Sequence, residues 1–340
     1  MTQPRSRRRS WSLRLAAGTL LPAALTAQQP AAVPAPTPEP PETITSAIPG
    51  VVAAGVRVHF IKGGFTGTEG PIGMKDGTLI FTETQANRLT HIDARDSVRT
   101  WLENTDGANG LAYARDGRLI GVSTVPGKTG VRVLAPADRV TMLADAFEGK
   151  RFGRPNDLTV GRNGLIYFTD PGPTVPPGQA PPADAMAPAV YGIMRDGSVK
   201  RVAEGIARPN GVLLSGDERT LYVADTWGAD ILAYDVQPDG SLGARRVFAT
   251  LDGARPRDGG GVNSGADGLA IDADGRLYVA CNTGVQVFDK AGQRLGNIPI
   301  PRQPQNIAFA GKDKRTLYIV GRGSAYRVPL EARGFAGREK

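Results

Sequence analysis

Histidine and cysteine are nearly missing from this chain, which holds two of the first and one of the second in 340 residues. A zinc centre of the usual imidazole and thiolate type therefore lacks ligands. A lone Cys281 cannot form an internal disulfide. It lies in the run Leu277-Tyr-Val-Ala-Cys and reads as a small buried hydrophobe, because no histidine stands near it in sequence to make it a nucleophile. His59 and His91 fall in alternating, strand-like stretches and are given no catalytic part. A Gly-x-Ser-x-Gly elbow is also missing, so that design of serine hydrolase is excluded. Aromatic residues make up only 6%, and no amphipathic helix of useful length can be traced.

The longest apolar run, Trp11 to Leu25, is broken by Arg14, Gly18 and Pro22 and is too short to span a bilayer. It follows Arg5, Arg7, Arg8 and Arg9 and precedes the small residues around Ala27, the layout of a secretory signal peptide over residues 1–27. Arg8-Arg9 also resembles, faintly, a twin-arginine signal. The expectation is export to the periplasm or medium, with no membrane insertion of the mature protein. The formal charge of +8 falls to +3 once the five arginines of residues 1–27 are removed, and the remaining bases are scattered among acids. Nucleic acid is not an expected partner. Residues 28–50 are rich in proline and alanine and read as a linker, which leaves 51–335 as the folded domain.

What the chain does contain is repetition. Six segments begin with a polar residue, enter a strand, turn at Asp-Gly or its equivalent and enter a second strand. They open Glu69-Gly-Pro, Asn109-Gly-Leu, Asn156-Asp-Leu, Asn210-Gly-Val, Asp267-Gly-Leu and Asn306-Ile-Ala. The openers are 40, 47, 54, 57 and 39 residues apart, the length of one four-stranded blade with variable loops. Period-two alternation continues inside each copy, as in Leu158, Val160 and then Leu165, Tyr167. The fold class is thus all-β, a six-bladed β-propeller, in which equivalent positions face one central axis. Acids and amides are poor strand formers, so their recurrence at the openers suggests a ring of oxygens around a channel mouth.

Glu69, Asn156, Asn210 and Asp267 are the candidate ligands of a divalent cation, with Asp157, Asp225 and Asn306 as further oxygens. Carboxylates and amide carbonyls are hard donors that suit Ca²⁺, and less strictly Mg²⁺ or Mn²⁺. The competing reading is that Asn-Gly and Asp-Gly only make turns, and Asn109, with no second acid in its segment, fits that reading best. Asp116, Asp217 and Asp274 belong to hairpin turns. Two loops, 171–189 and 252–266, are long enough to be lids or binding loops, or plain surface insertions.

Thr-Glu-Gly-Pro (68–71), Arg-Pro-Asn-Asp-Leu with Ile-Tyr-Phe-Thr-Asp-Pro (154–171), Arg-Pro-Asn-Gly-Val with Leu-Tyr-Val-Ala-Asp-Thr (208–226) and Asp-Gly-Leu-Ala-Ile-Asp with Leu-Tyr-Val-Ala-Cys (267–281) together resemble the SMP-30/gluconolactonase (regucalcin-like) family. The resemblance runs over about residues 55–330. It implies a six-bladed propeller with a divalent cation, usually calcium, at one end of the tunnel, with Mg²⁺, Mn²⁺ and Zn²⁺ as alternatives. It carries the metal ligands onto Glu69, Asn156, Asn210 and Asp267, and a substrate-contacting arginine onto Arg154. Asn109 and Asn306 join Arg154 as candidate substrate contacts. Where related phosphotriesterase-type propellers have a histidine on the last blade, this chain offers Gln305 and Asn306, which disfavours organophosphate hydrolysis. The leading expectation is metal-dependent hydrolysis of a sugar or aldonic-acid lactone, with Asp267 as the catalytic carboxylate and Asp157 as the alternative base. The competing expectations are a non-catalytic ligand- or protein-binding propeller, or a hydrolase of another ester or phosphotriester.

Overall fold

The computed structural model describes residues 1–2, 39–175 and 179–338. The expected signal peptide, apart from its first two residues, and the linker up to residue 38 lie outside the described residues. Six four-stranded antiparallel sheets make up the domain. The innermost strands are Thr68–Gly73, Ala108–Tyr113, Leu158–Val160, Pro209–Leu214, Leu269–Ile271 and Asn306–Ala310. Each touches the next around the molecule, and the last touches the first, which closes the ring. The all-β, six-bladed expectation is met.

The burial gradient explains the composition. Second strands such as Ile166–Asp170 are buried along their whole length, because neighbouring blades cover both faces. Fourth strands such as Val199–Glu204 have no fully buried residue and expose Lys200, Arg201 and Glu204. Between blades, Phe152 meets Phe168 edge-on with centroids 5.0 Å apart, and Phe168 stacks on Tyr191 at 5.5 Å, so few aromatics fill much of one inter-blade core.

Closure was not visible in the repeats. The sixth sheet takes its outermost strand, His59–Gly63, from the start of the domain, paired to Ser324–Pro329 at its end. This joins the two ends of the chain through backbone hydrogen bonds. Arg327 adds a fork of hydrogen bonds, 2.9 to 3.2 Å long, to Asp96 of the first blade. His59 Nε2 lies 3.2 Å from the same carboxylate, and His91 Nε2 lies 2.9 Å from Thr78 Oγ1 in a hairpin. Both histidines therefore belong to the framework.

The expected domain limits of 51 and 335 need correction at both ends. Thr45 N donates to Val56 O at 2.9 Å, and Ile48, 1% exposed, enters a core with Val51, Val52 and Val58. Proline-rich composition concealed this because one isoleucine and one threonine hold the segment. At the other end, Phe335 N donates to Ile271 O, and Arg338 donates to Leu214 O and pairs with Glu218 at 3.2 Å. The tail thus crosses the floor of the channel beyond residue 335. A small cavity of about 40 Å³ lies beneath it, lined by Ile72, Leu213 and Phe335.

Acids that end second strands hold the fold in a way the sequence also hid. Glu83 is fully buried, and it accepts from Arg88 Nε at 2.8 Å, Thr90 Oγ1 at 2.5 Å and Thr66 N at 3.0 Å. Burial alone would raise its pKa, but these donors and the Arg88 charge hold the carboxyl below its ordinary value. A depressed carboxyl contributes stability above its unfolded pKa of about 4.3 that is lost as pH falls through the lower folded value. Glu83→Gln is expected to cost about 2 kcal/mol at pH 7. The deficit should shrink below about pH 4, as read by denaturant melts of both proteins at pH 7 and pH 3. An equal deficit at both pH values would refute the charge-based account.

Candidate active site

The inner strands all enter the domain from the same end, so the openers share one rim. Three of them, Glu69, Asn109 and Asn210, sit at register breaks between inner and second strands: Glu69/Ile72, Ala108/Leu111 and Pro209/Val212. A bulge turns the side chain out of the ladder and toward the axis. The glycines that follow are needed for blade-to-blade approach: a Cβ on Gly211 would lie 2.1 Å from the Asp267 carbonyl oxygen. Threonines stitch the same joints, with Thr82 Oγ1 donating to Asn109 O at 3.0 Å and Thr169 Oγ1 to Asn210 O at 2.6 Å.

This ladder corrects the sixth opener. Asn156 N donates to Thr169 O, Asp267 N to Ala280 O and Gln305 N to Val320 O. Gly110 N donates to Asn156 O just as Gly268 N donates to Gln305 O. Gln305, not Asn306, therefore completes the ring of Glu69, Asn109, Asn156, Asn210 and Asp267. Asn306 corresponds to Asp157: its Oδ1 takes the Ile307 N–H at 2.9 Å, as Asp157 Oδ1 takes the Leu158 N–H at 2.9 Å. Neither carboxamide nor carboxylate here is exposed, at 1% and 0%. Asn306 lies behind the rim as a support for Glu69, with Nδ2 3.5 Å from Oε2, while Gln305 Nε2 donates to Glu69 Oε1 at 2.9 Å. The signal that could have shown this is the matched spacing of both residues to the following apolar strand.

The ring offers two carboxylates, Glu69 and Asp267, and amide oxygens. Asn210 Nδ2 donates to Thr226 Oγ1 at 3.0 Å, and that hydroxyl donates to Ala266 O at 2.7 Å, which fixes the amide with its oxygen turned away. Asn210 Oδ1 is buried and has no hydrogen-bond partner, and the same is true of Asn109 Oδ1. An unsatisfied buried amide oxygen costs on the order of 1–3 kcal/mol, which a cation at the ring would relieve. The donor set therefore fits a hard divalent ion. Among the described residues no three His, Cys, Asp or Glu side chains gather into a metal-holding group, so amide oxygens have to complete the set.

Two further acids hold the arginine loops. Asp225, expected as an extra ligand, instead accepts from the backbone N–H groups of Ala207, Arg208 and Trp227 at 2.9 to 3.3 Å. Asp170 does the same for Gly153, Arg154 and Gly172 at 2.7 to 2.9 Å. Burial pushes the Asp170 carboxyl up against the opposing pull of those three donors. Arg154 Nη1 reaches Thr174 Oγ1 at 3.4 Å, which ties it to the proline-rich loop. The loop 252–266 is partly ordered as a hairpin, Arg255–Pro256 with Val262–Asn263. Burial and the like charges of Arg154 and Arg257 hold the Arg208 guanidinium below its ordinary value, while Asp267 pulls it up. Cys281 is buried, with Sγ 3.3 Å from Gln286 Nε2.

Fold and site together define a class: a six-bladed propeller with a ring of carboxylate and amide oxygens at one mouth. Residues 67–322 match the SMP-30/Gluconolactonase/LRE-like region, and the chain belongs to that family. It is 28% identical over 293 residues to a gluconolactonase of Zymomonas mobilis, covering 78% of this chain and 79% of that protein. It is 25% identical over 260 residues to the pentonolactonase XacC of Haloferax volcanii, covering 75% and 81%. Among solved structures, a gluconolactonase from Xanthomonas campestris superposes with a TM-score of 0.72 at 32% identity, covering 87% of this chain and 96% of that one.

Proposed function

We propose that this protein hydrolyses a sugar or aldonic-acid lactone, aided by a divalent cation, most readily Ca²⁺, held by Glu69, Asn156, Asn210 and Asp267. The observation that carries the reading is the buried, unpartnered Oδ1 of Asn210 on a ring that also bears two carboxylates. Relatives that share most of the chain's length are a gluconolactonase and a pentonolactonase, which supports a lactone as substrate. A bound divalent ion supplies a Lewis acid for the ring carbonyl and for acidifying water.

The chain's own residues perform the remainder. Water adds to the carbonyl carbon and gives its proton to the Asp267 carboxylate, which is half-buried at the rim. The ring C–O bond then breaks, the proton returns to the departing alkoxide, and a hydroxy acid leaves. Asp267 is favoured over Asp157 as base because the Asp157 carboxylate is wholly buried and takes the Leu158 N–H. Arg154, steadied by Thr174, holds a substrate hydroxyl or carboxylate. Asn109 offers a second acceptor from the ring.

Acid release from glucono- and pentonolactones by the purified protein tests this. Turnover is expected to vanish with chelator and return when Ca²⁺, Mg²⁺, Mn²⁺ or Zn²⁺ is restored singly. Folded protein that hydrolyses no lactone with any ion would instead support a binding propeller. Full activity in chelator would remove the cation.

A further inference from the structure

Beside the ring, one feature has no part in the mechanism above. Trp227 is a large apolar residue left 36% exposed, and two guanidiniums lie over its indole. The Arg257 Cζ stands 3.9 Å from the ring centroid and the Arg208 Cζ 4.9 Å from it. Arg208 and Trp227 are fixed by the backbone grip of Asp225, and Arg257 by its hairpin, where its N–H donates to Gly261 O at 3.1 Å. Arg208 stands two residues before the ring amide Asn210, and Trp227 follows Thr226, whose hydroxyl accepts from that amide at 3.0 Å, which places the cluster beside the ring.

Three positive side chains gathered without an ion pair repel one another. Arginines such as Arg88 and Arg276 are neutralised by Glu83 and Asp272. Among the described residues no ion pair within 4 Å is formed by Arg154, Arg208 or Arg257, and Asp225 is already taken up by three backbone N–H groups. Guanidiniums are the side chains best shaped to bind a carboxylate, phosphate or sulfonate through paired N–H donors. Stacking on an indole leaves those in-plane donors free while fixing the plane.

We propose that Arg208 and Arg257, fixed on Trp227 beside the catalytic ring, form an anion subsite, and that the preferred substrate is a lactone carrying a second, acidic group remote from its carbonyl. This rests on the lactonase reading and narrows its substrate class. The lactone carbonyl faces Asp267, and the acidic group spans to the two arginines.

The test compares kcat/KM for glucono-1,5-lactone with that for its 6-phospho form and for glucarolactone, which bears a carboxylate. The acidic lactones should be favoured roughly tenfold or more, as two charge-assisted contacts warrant. In Arg257→Met and Arg208→Met that ratio should fall toward one, and the ratio cancels any loss shared by both substrates. Salt near 1 M should compress it too, through screening. The two acidic probes also tell which anion the subsite takes. Equal rates on neutral and acidic lactones, or a preference unmoved by both substitutions, would overturn the subsite while leaving the lactonase reading intact. Should no lactone react at all, titration with inorganic phosphate decides it: quenching of Trp227 fluorescence that is lost in Arg257→Met supports the subsite, and no change in the unmodified protein overturns it.

Discussion

Asp267→Asn is expected to leave a folded propeller whose lactone hydrolysis is lowered about a thousandfold or more. The substitution keeps the shape and one oxygen but removes the charge and the basicity. General-base contributions of this sort run on the order of 10² to 10⁴, and loss of a charged ligand weakens cation binding in addition. The fold should survive because Asp267 is positioned by its backbone: its N–H donates to Ala280 O at 2.9 Å, and the joint to the preceding blade is closed by Gly211. Acid release measured beside a thermal melt decides the case. Activity within about tenfold of the unmodified protein, at an unchanged melting temperature, would move the proton-accepting role elsewhere. Asp225→Asn provides the contrast. That carboxylate holds the backbone of Ala207, Arg208 and Trp227, so its loss should raise KM more than it lowers kcat.

The comparison of Asp267 with Asp225 shows how far the sequence could be read. Both are acids at strand ends, and both looked like oxygen ligands. The opener is aimed at the axis, whereas the last residue of a second strand faces the loop that leads into the first strand of its own blade. Type and spacing separate turn from strand, but not a ligand from a backbone anchor. The architecture was legible because its cause is local: each copy carries its own alternation and its own turn, so one chain repeats the signal six times. The closing strand His59–Gly63 was not, because its partner Ser324–Pro329 lies at the far end of the chain and the pairing has no local signature. The choice of Asn306 over Gln305 failed for a related reason. Two adjacent amides stand at this opener, and only the cross-strand N–H of Gln305 to Val320 O sets the register. A one-residue slip turns a strand's side chains to opposite faces, and here it separates a rim residue from one buried behind the rim.

The same reasoning predicts that Gly211→Ala damages the site without touching any of its polar atoms. Gly211 has no positive φ that would demand glycine, and a standard reading of propensity would call alanine harmless or helpful. Its Cβ, however, would meet the Asp267 carbonyl oxygen at 2.1 Å, the carbonyl carbon at 3.0 Å and the Leu269 side chain at 3.1 Å. The first two are backbone atoms and cannot swing aside, so the two blades have to part. Overpacking of this kind costs about 3 kcal/mol, and the displaced atoms are those that carry the Asp267 side chain and sit next to Asn210. A joint loss of stability and of cation affinity is therefore expected, read by denaturant melts and by the concentration of Ca²⁺ that restores half-maximal turnover. Gly164→Ala separates the two costs. Gly164 has φ +87° with nothing within 4 Å of a new Cβ; the strain costs about 1 kcal/mol, and the ion requirement should not move. If Gly211→Ala lowers stability and leaves the ion requirement where it was, the inter-blade joint is structural only, and Asp267 is placed by something other than the closeness of the two inner strands.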